Sequence, residues 1–200
     1  MVTGTGFQDG VMASFSGTGV TVNSVTFTDA TSIILNVSVD AAAATGARDL
    51  TLTNPDAGTS TTASAFTVVA RPVATSLSPS SRGQGAASQV ITVTGTDFVS
   101  GMSASFSGTG VTVNSVSVTN STTATITITV SATASTDARD LTLTNTDAGT
   151  STRFSALTVT PRPVATSLSP SSRGQGAVSQ VITVTGTDFV SGMSVSFSGT

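Results

Sequence analysis

Ala124-Thr125-Ile126-Thr127-Ile128-Thr129-Val130 alternates apolar and hydroxylated residues without a break. In an extended strand successive side chains point to opposite faces, so Ala124, Ile126, Ile128 and Val130 share one face and three threonines the other. Leu141-Thr142-Leu143-Thr144 carries the same pattern. β-branched threonine suits the wet face because it keeps strand propensity there. Outward from this stretch, alternation and turn residues predict strands near 73–78, 89–95, 102–107, 111–118, 123–131, 139–145 and 152–160. The predicted core is Ile91, Val93, Phe98, Phe106, Ile126, Ile128, Leu141, Leu143, Leu157 and Val159. Burial of each contributes about 1.5–3 kcal/mol before entropy is subtracted. Asn54-Pro55-Asp56-Ala57-Gly58 and Asn145-Thr146-Asp147-Ala148-Gly149 read as hairpin turns, while Gly108-Thr109-Gly110 and Ser81-Arg82-Gly83-Gln84-Gly85 read as loops. A helical reading of 41–44 is not shared by its counterpart Ala132-Thr133-Ala134-Ser135. The expected class is all-β.

The same text recurs along the chain. Arg71-Pro72-Val73-Ala74-Thr75-Ser76-Leu77-Ser78-Pro79 returns as Arg162-Pro163-Val164-Ala165-Thr166-Ser167-Leu168-Ser169-Pro170, displaced by 91 positions. Segments 71–109 and 162–200 differ only at Ala87/Val178 and Ala104/Val195. Segment 2–70 aligns with 93–161 without a gap, matching Phe7 to Phe98, Phe15 to Phe106, and Arg48-Asp49-Leu50 to Arg139-Asp140-Leu141. A unit of that size with about seven short strands fits an immunoglobulin-like β-sandwich. The expected organisation is tandem immunoglobulin-like β-sandwich repeats of 91 residues. A repeat lacking its first strand spans 1–70, a complete one 71–161, and the N-terminal part of a third 162–200.

These residues resemble IPT/TIG domains, immunoglobulin-like folds found in plexins, transcription factors and many bacterial surface proteins. The resemblance rests on Ser76-Leu77-Ser78-Pro79-Ser80-Ser81 before a glycine-rich turn and on Ile91-Thr92-Val93-Thr94-Gly95-Thr96-Asp97-Phe98. It rests further on Ala138-Arg139-Asp140-Leu141-Thr142-Leu143-Thr144-Asn145 and Gly149-Thr150-Ser151. It looks most like the bacterial extracellular version, which implies spacers, stalks or adhesion modules. An immunoglobulin-like sandwich hosts many roles, so the fold alone does not choose among them.

Composition narrows the choice. The chain contains no Cys, His, Lys, Glu, Trp or Tyr, and its seven Arg and ten Asp give a net charge of -3. With no group that titrates near neutrality, no Ser-His-Asp or thiol machinery can be assembled, so we expect no catalytic residues and no enzyme. Few cations argue against nucleic acid and anionic membranes, and no apolar run is long enough to span a bilayer. Oxygen donors would suit only Ca²⁺, but no Asp-x-Asp-x-Asp loop occurs. Asp137 and Asp140 lie close in sequence, yet Gly46 stands where a counterpart of Asp137 would be; turn capping is the preferred role, with no metal and no cofactor expected. The Thr-x-Thr ladders invite an ice-binding reading, set aside in favour of the solvent face of a twisted sheet. Aromatic sugar stacking is disfavoured because Trp and Tyr are absent and the Phe residues fall at expected core positions. Asn36-Val37-Ser38 and Asn120-Ser121-Thr122 match the glycosylation pattern, which short sequences reach by chance. Arg139 and Asp140, neighbours in a strand, face opposite ways and need partners across strands.

Repeats meet at Val69-Ala70-Arg71-Pro72 and Thr160-Pro161-Arg162-Pro163, where proline restricts the backbone and predicts semi-rigid stacking. Half a sandwich leaves an apolar face and strand edges exposed, so the partial ends require completion. Continuation of the same polypeptide is the preferred route. The other is donation of 162–182 to the 2–70 of a neighbouring chain, against which stands the duplication of 1–18 by 183–200. The expected function is a non-catalytic structural array, a stalk or filament in an extracellular or cell-surface location on a bacterium. Its partners are then neighbouring repeats or copies of itself. The alternative is an adhesin or phage-fibre module that recognises a surface glycan or protein through the loops at 81–87 and 107–111.

Overall fold

A computed structural model describes residues 1–198; positions 199 and 200 of the expected third unit lie outside the described residues. Strands account for the regular structure, and no helix occurs among the described residues. The stretch 1–68 carries β1 (Val2–Thr3), β2 (Met12–Phe15), β3 (Val20–Asp29), β4 (Ser32–Val39), β5 (Gly46–Thr53) and β6 (Thr59–Val68). They form two three-stranded sheets, β1-β4-β3 and β2-β5-β6. The central stretch carries β7 (Val73–Ser78), β8 (Ser81–Gly83), β9 (Gln89–Thr96), β10 (Ser103–Phe106), β11 (Val111–Asn120), β12 (Thr123–Val130), β13 (Ala138–Thr144) and β14 (Thr150–Thr160). Its two four-stranded sheets run β11-β12-β9-β7 and β10-β13-β14-β8. Finally β15 (Val164–Ser169) and β16 (Thr183–Thr187) form a two-stranded ribbon.

The central stretch is a β-sandwich because both sheets turn their apolar faces onto one core. Ile91, Val93, Ile126 and Ile128 from one sheet meet Leu141, Leu143, Leu157 and Val159 from the other, all essentially inaccessible to water. All ten predicted core residues are buried. Small or irregularly placed residues complete the core: Ala74, Leu77, Ala124 and Ala156 on strands, Met102 and Ala134 in loops. On the opposite face of β12 and β13 the threonines are half-buried, and those of β13 pair with exposed threonines of β14. Thr142 and Thr152 hydroxyls lie 3.0 Å apart, and Thr144 and Thr150 lie 3.2 Å apart, at directly opposed positions of β13 and β14.

Three expectations need correction. Residues 81–83, read as loop, form β8, which runs parallel to β14 with Ser81 opposite Thr158. The chain leaves one sheet at Ser78-Pro79 and joins the other, a crossing that local alternation cannot announce because only the distant β14 defines it. In the third unit the strands predicted near 73–78, 89–95 and 102–107 recur at 164–169, 180–186 and 193–198, and only the first two form among the described residues. Residues 194–197 match β10, but β10 is held by β13, and the described residues of this unit include no such partner. Phe154, taken for a core residue, is 77% exposed. Phe154 continues the outward alternation of Thr150 and Thr152, ahead of the bulge by which β14 regains its pairing at Leu157.

Gly95 fixes the start of the sandwich. A Cβ there would strike the carbonyl oxygen of Val73 and approach the Phe98 ring to 2.5 Å. Its absence lets Phe98 lie over β9 and seal that end of the core. Gly95→Ala is therefore expected to destabilise the chain by about 1–3 kcal/mol in urea unfolding, the cost of overpacking a dense interior. A midpoint unchanged from wild type would show that the close approach is unimportant.

Candidate functional site

The loops singled out as binding candidates come together at one end of the sandwich. Gln84 follows β8 directly and uses its whole amide. Its Nε2 donates to the Ala134 carbonyl (2.6 Å), its Oε1 accepts from the Arg162 backbone amide (3.3 Å), and its own backbone amide donates to Thr160 (2.9 Å). Gly85 donates to Val130, and Val130 donates back to Ala86. The 107–111 loop closes on the same centre. Gly110, at φ +88°, lies so close to Ala134 that a Cβ would come within 2.8 Å of its Cα. Ser107 accepts from the Asp140 amide through its hydroxyl (2.8 Å) and donates its own amide to the Asp140 carbonyl (2.9 Å). The polar groups at this end are thus largely engaged within the module and with its outgoing linker.

The linkers are held in turn. Four residues separate β6 from β7 and three separate β14 from β15. Pro72 is fully buried, and its carbonyl accepts a hydrogen bond from the Ser151 hydroxyl. At the first junction lies a cleft of about 670 Å³. Val39, Ala43, Phe66 and Val68 line one side; Val73 and the 147–150 turn line the other.

The charged residues serve the backbone. Asp140 occupies the bulge and accepts from the Ser155 amide (2.8 Å), while Arg139 is buried and donates to the Ser135 carbonyl (3.0 Å). The expected cross-strand partner of Asp140 is present, but it is a main-chain amide. Ninety-one positions earlier, Asp49 accepts from Ser64 (2.8 Å) and Arg48 donates to Ala44 (2.6 Å). Asn145, read only as a turn residue, is a buried clamp. It donates to the Asp97 carbonyl (2.7 Å) and accepts from the Val99 amide (3.2 Å), as Asn54 does with Gly6 and Gln8. Its burial could not be read from sequence, although its recurrence was visible.

The carboxylates are dispersed as turn caps. Asp40 accepts from Ala42 and Asp147 from Gly149, and no cluster of three or more metal-ligating acidic groups occurs among the described residues. Asp137, the other carboxylate weighed for Ca²⁺, takes part through its backbone carbonyl, which accepts from the Val159 amide. Asp29 accepts from both the hydroxyl and the amide of Thr31 (2.7 Å each). These bonds, the hydroxyl first, hold its carboxyl below the usual aspartate value. Asn120 makes the same two bonds to Thr122, so an uncharged amide serves equally well. Asp56 is lowered likewise, first by the Gly58 amide and then by the Gln8 side chain.

Residues 72–160 match the family model of the IPT/TIG domain. Among solved structures, a Bacteroides ovatus protein of the mixed-linkage glucan utilization locus, SGBP-B in complex with a mixed-linkage heptasaccharide, aligns at 18% identity with a TM-score of 0.26. The alignment covers 76% of this chain and 38% of that one, so the chain spans well under half of that protein. None of the curated proteins compared gives a match.

A depressed carboxylate pKa favours the fold above the unfolded value, and that contribution is lost as pH falls through the folded value. NMR titration should place Asp29 below ordinary aspartate, and Thr31→Ala should move it upward. An Asp29 titration indifferent to Thr31→Ala would contradict the assigned cause.

Proposed function

We propose that this chain, whose residues 72–160 belong to the IPT/TIG family, is a non-catalytic structural array of 91-residue sandwich modules. It forms a semi-rigid extracellular stalk or filament on a bacterial surface. The observation that carries the reading is the use of the module ends. The loops that would be free to recognise a ligand in an adhesin are occupied with Ala134, Asp140 and the outgoing linker. The incoming linker is fixed through buried Pro72. Short tethers with restricted backbones transmit orientation from one module to the next. No side chain titrates near neutrality, which suits a part whose number and spacing matter more than any single site.

Near-identical modules of this kind make length the working variable. Each additional 91-residue unit should lengthen the particle by about 35–40 Å, the span of an eleven-residue strand such as β14 at roughly 3.3 Å per residue. Small-angle scattering on chains of two, four and six complete units tests this. A maximum dimension linear in unit number is expected. A square-root dependence, as for beads on a flexible string, would contradict the stalk.

A further inference from the structure

We propose that the outer face of the sheet β10-β13-β14-β8 is a docking platform for a neutral polysaccharide, with the Phe154 ring as the surface on which a pyranose unit stacks. The proposal goes beyond the array reading and does not rest on it. Phe154 lies midway along β14, on a sheet whose four strands are all paired, so its exposure belongs to the central sandwich itself.

The registers set out the face row by row. Ser105, Thr142 and Thr152 stand side by side across β10, β13 and β14. Ser107, Asp140 and Phe154 form the next row. The Ser107 hydroxyl accepts from the Asp140 amide, and the Asp140 carboxylate accepts from the amide of Ser155, beside Phe154. The ring is 77% exposed, and the serines and Thr152 are exposed around it. Thr142 and Thr152 hydroxyls hold each other at 3.0 Å, which fixes their direction while leaving acceptor lone pairs toward solvent.

Chemistry selects the occupant. A pyranose with equatorial hydroxyls presents axial C–H bonds on its ring faces and hydroxyls around its rim. The C–H face packs on the negative face of an aromatic ring. The rim exchanges hydrogen bonds with fixed hydroxyls and with a carboxylate, which sets its orientation. Asp140 carries the only charge at the outward positions of these three strands among the described residues; Arg139 and Arg153 stand at inward positions, opposite Leu157 and Leu141. No cation there pairs with an anionic polymer. A second copy of the chain fits less well. A specific interface takes about 800 Å² from each partner around an apolar core. One Phe side chain supplies roughly 200 Å² of that, and hydroxyls surround it.

The first 70 residues hold the comparison. Ser14, Thr51 and Thr61 repeat the hydroxyl row, with Thr51 and Thr61 again 3.0 Å apart, but Ala63 stands where Phe154 does. The hydroxyl rows are scaffold common to both modules. The ring is an addition to one of them that its core does not use.

Affinity electrophoresis of the 200-residue chain through gels containing hydroxyethyl cellulose or xyloglucan tests the platform. Both should retard the chain relative to a gel without polysaccharide, and polygalacturonate should not. Phe154→Ala should weaken retention about tenfold and Phe154→Trp strengthen it about threefold, following the aromatic contact. Thr152→Val keeps the shape and removes the hydroxyl; it should weaken retention about threefold at an unchanged urea midpoint. No retention in either neutral gel, retention indifferent to Phe154→Ala or to Thr152→Val, or stronger retention by polygalacturonate would overturn the proposal. So would sedimentation showing a dimer that Phe154→Ala dissolves. None of these results changes how particle length grows with module number, so the stalk is judged separately.

Discussion

Everything in the central sandwich depends on the contact between two apolar faces, Ile91, Val93, Ile126 and Ile128 against Leu141, Leu143, Leu157 and Val159. Neither sheet can bury that face alone, because each is wet on its other side. Threonine makes the arrangement workable in a chain with few charges: it keeps strand preference on the outer face, and opposed hydroxyls satisfy one another across β13 and β14. The remaining polar devices are local. Asp140 fixes a bulge, Asn145 ties two loops together, and Gly95 admits the Phe98 ring.

The same economy shapes the ends of the module. A free immunoglobulin-like domain presents its terminal loops to solvent, where they can diversify. Here Gln84 and the 107–111 loop converge on Ala134, and Gln84 also holds the backbone of Arg162. Gln84 spends its amide on the module and on the linker that leaves it.

Strands and core were legible because alternation is a local property: 73–78 was predicted and found at its exact residues, and all ten expected core residues are buried. What escaped was set by distant partners. β8 exists only because β14 lies beside it, and Phe154 lies on the outer face with Thr150 and Thr152 because pairing of β14 with β13 sets which of its faces is wet. The burial of Arg139 under the 107–110 loop left no mark in sequence beyond the recurrence of Arg-Asp. For the site, the dispersal of acidic residues could be read in advance, whereas the convergence of Gln84 and the 107–111 loop on Ala134 could not.

Amide hydrogen exchange on the 200-residue chain tests the central claim most directly. The amides of Ile91, Ile126, Ile128, Leu141 and Leu143 should exchange slowest, at least about a thousandfold more slowly than those of 188–198, since they open only with the whole sandwich. Exchange of these five at the rate of that terminal stretch would mean that the two faces do not close on each other.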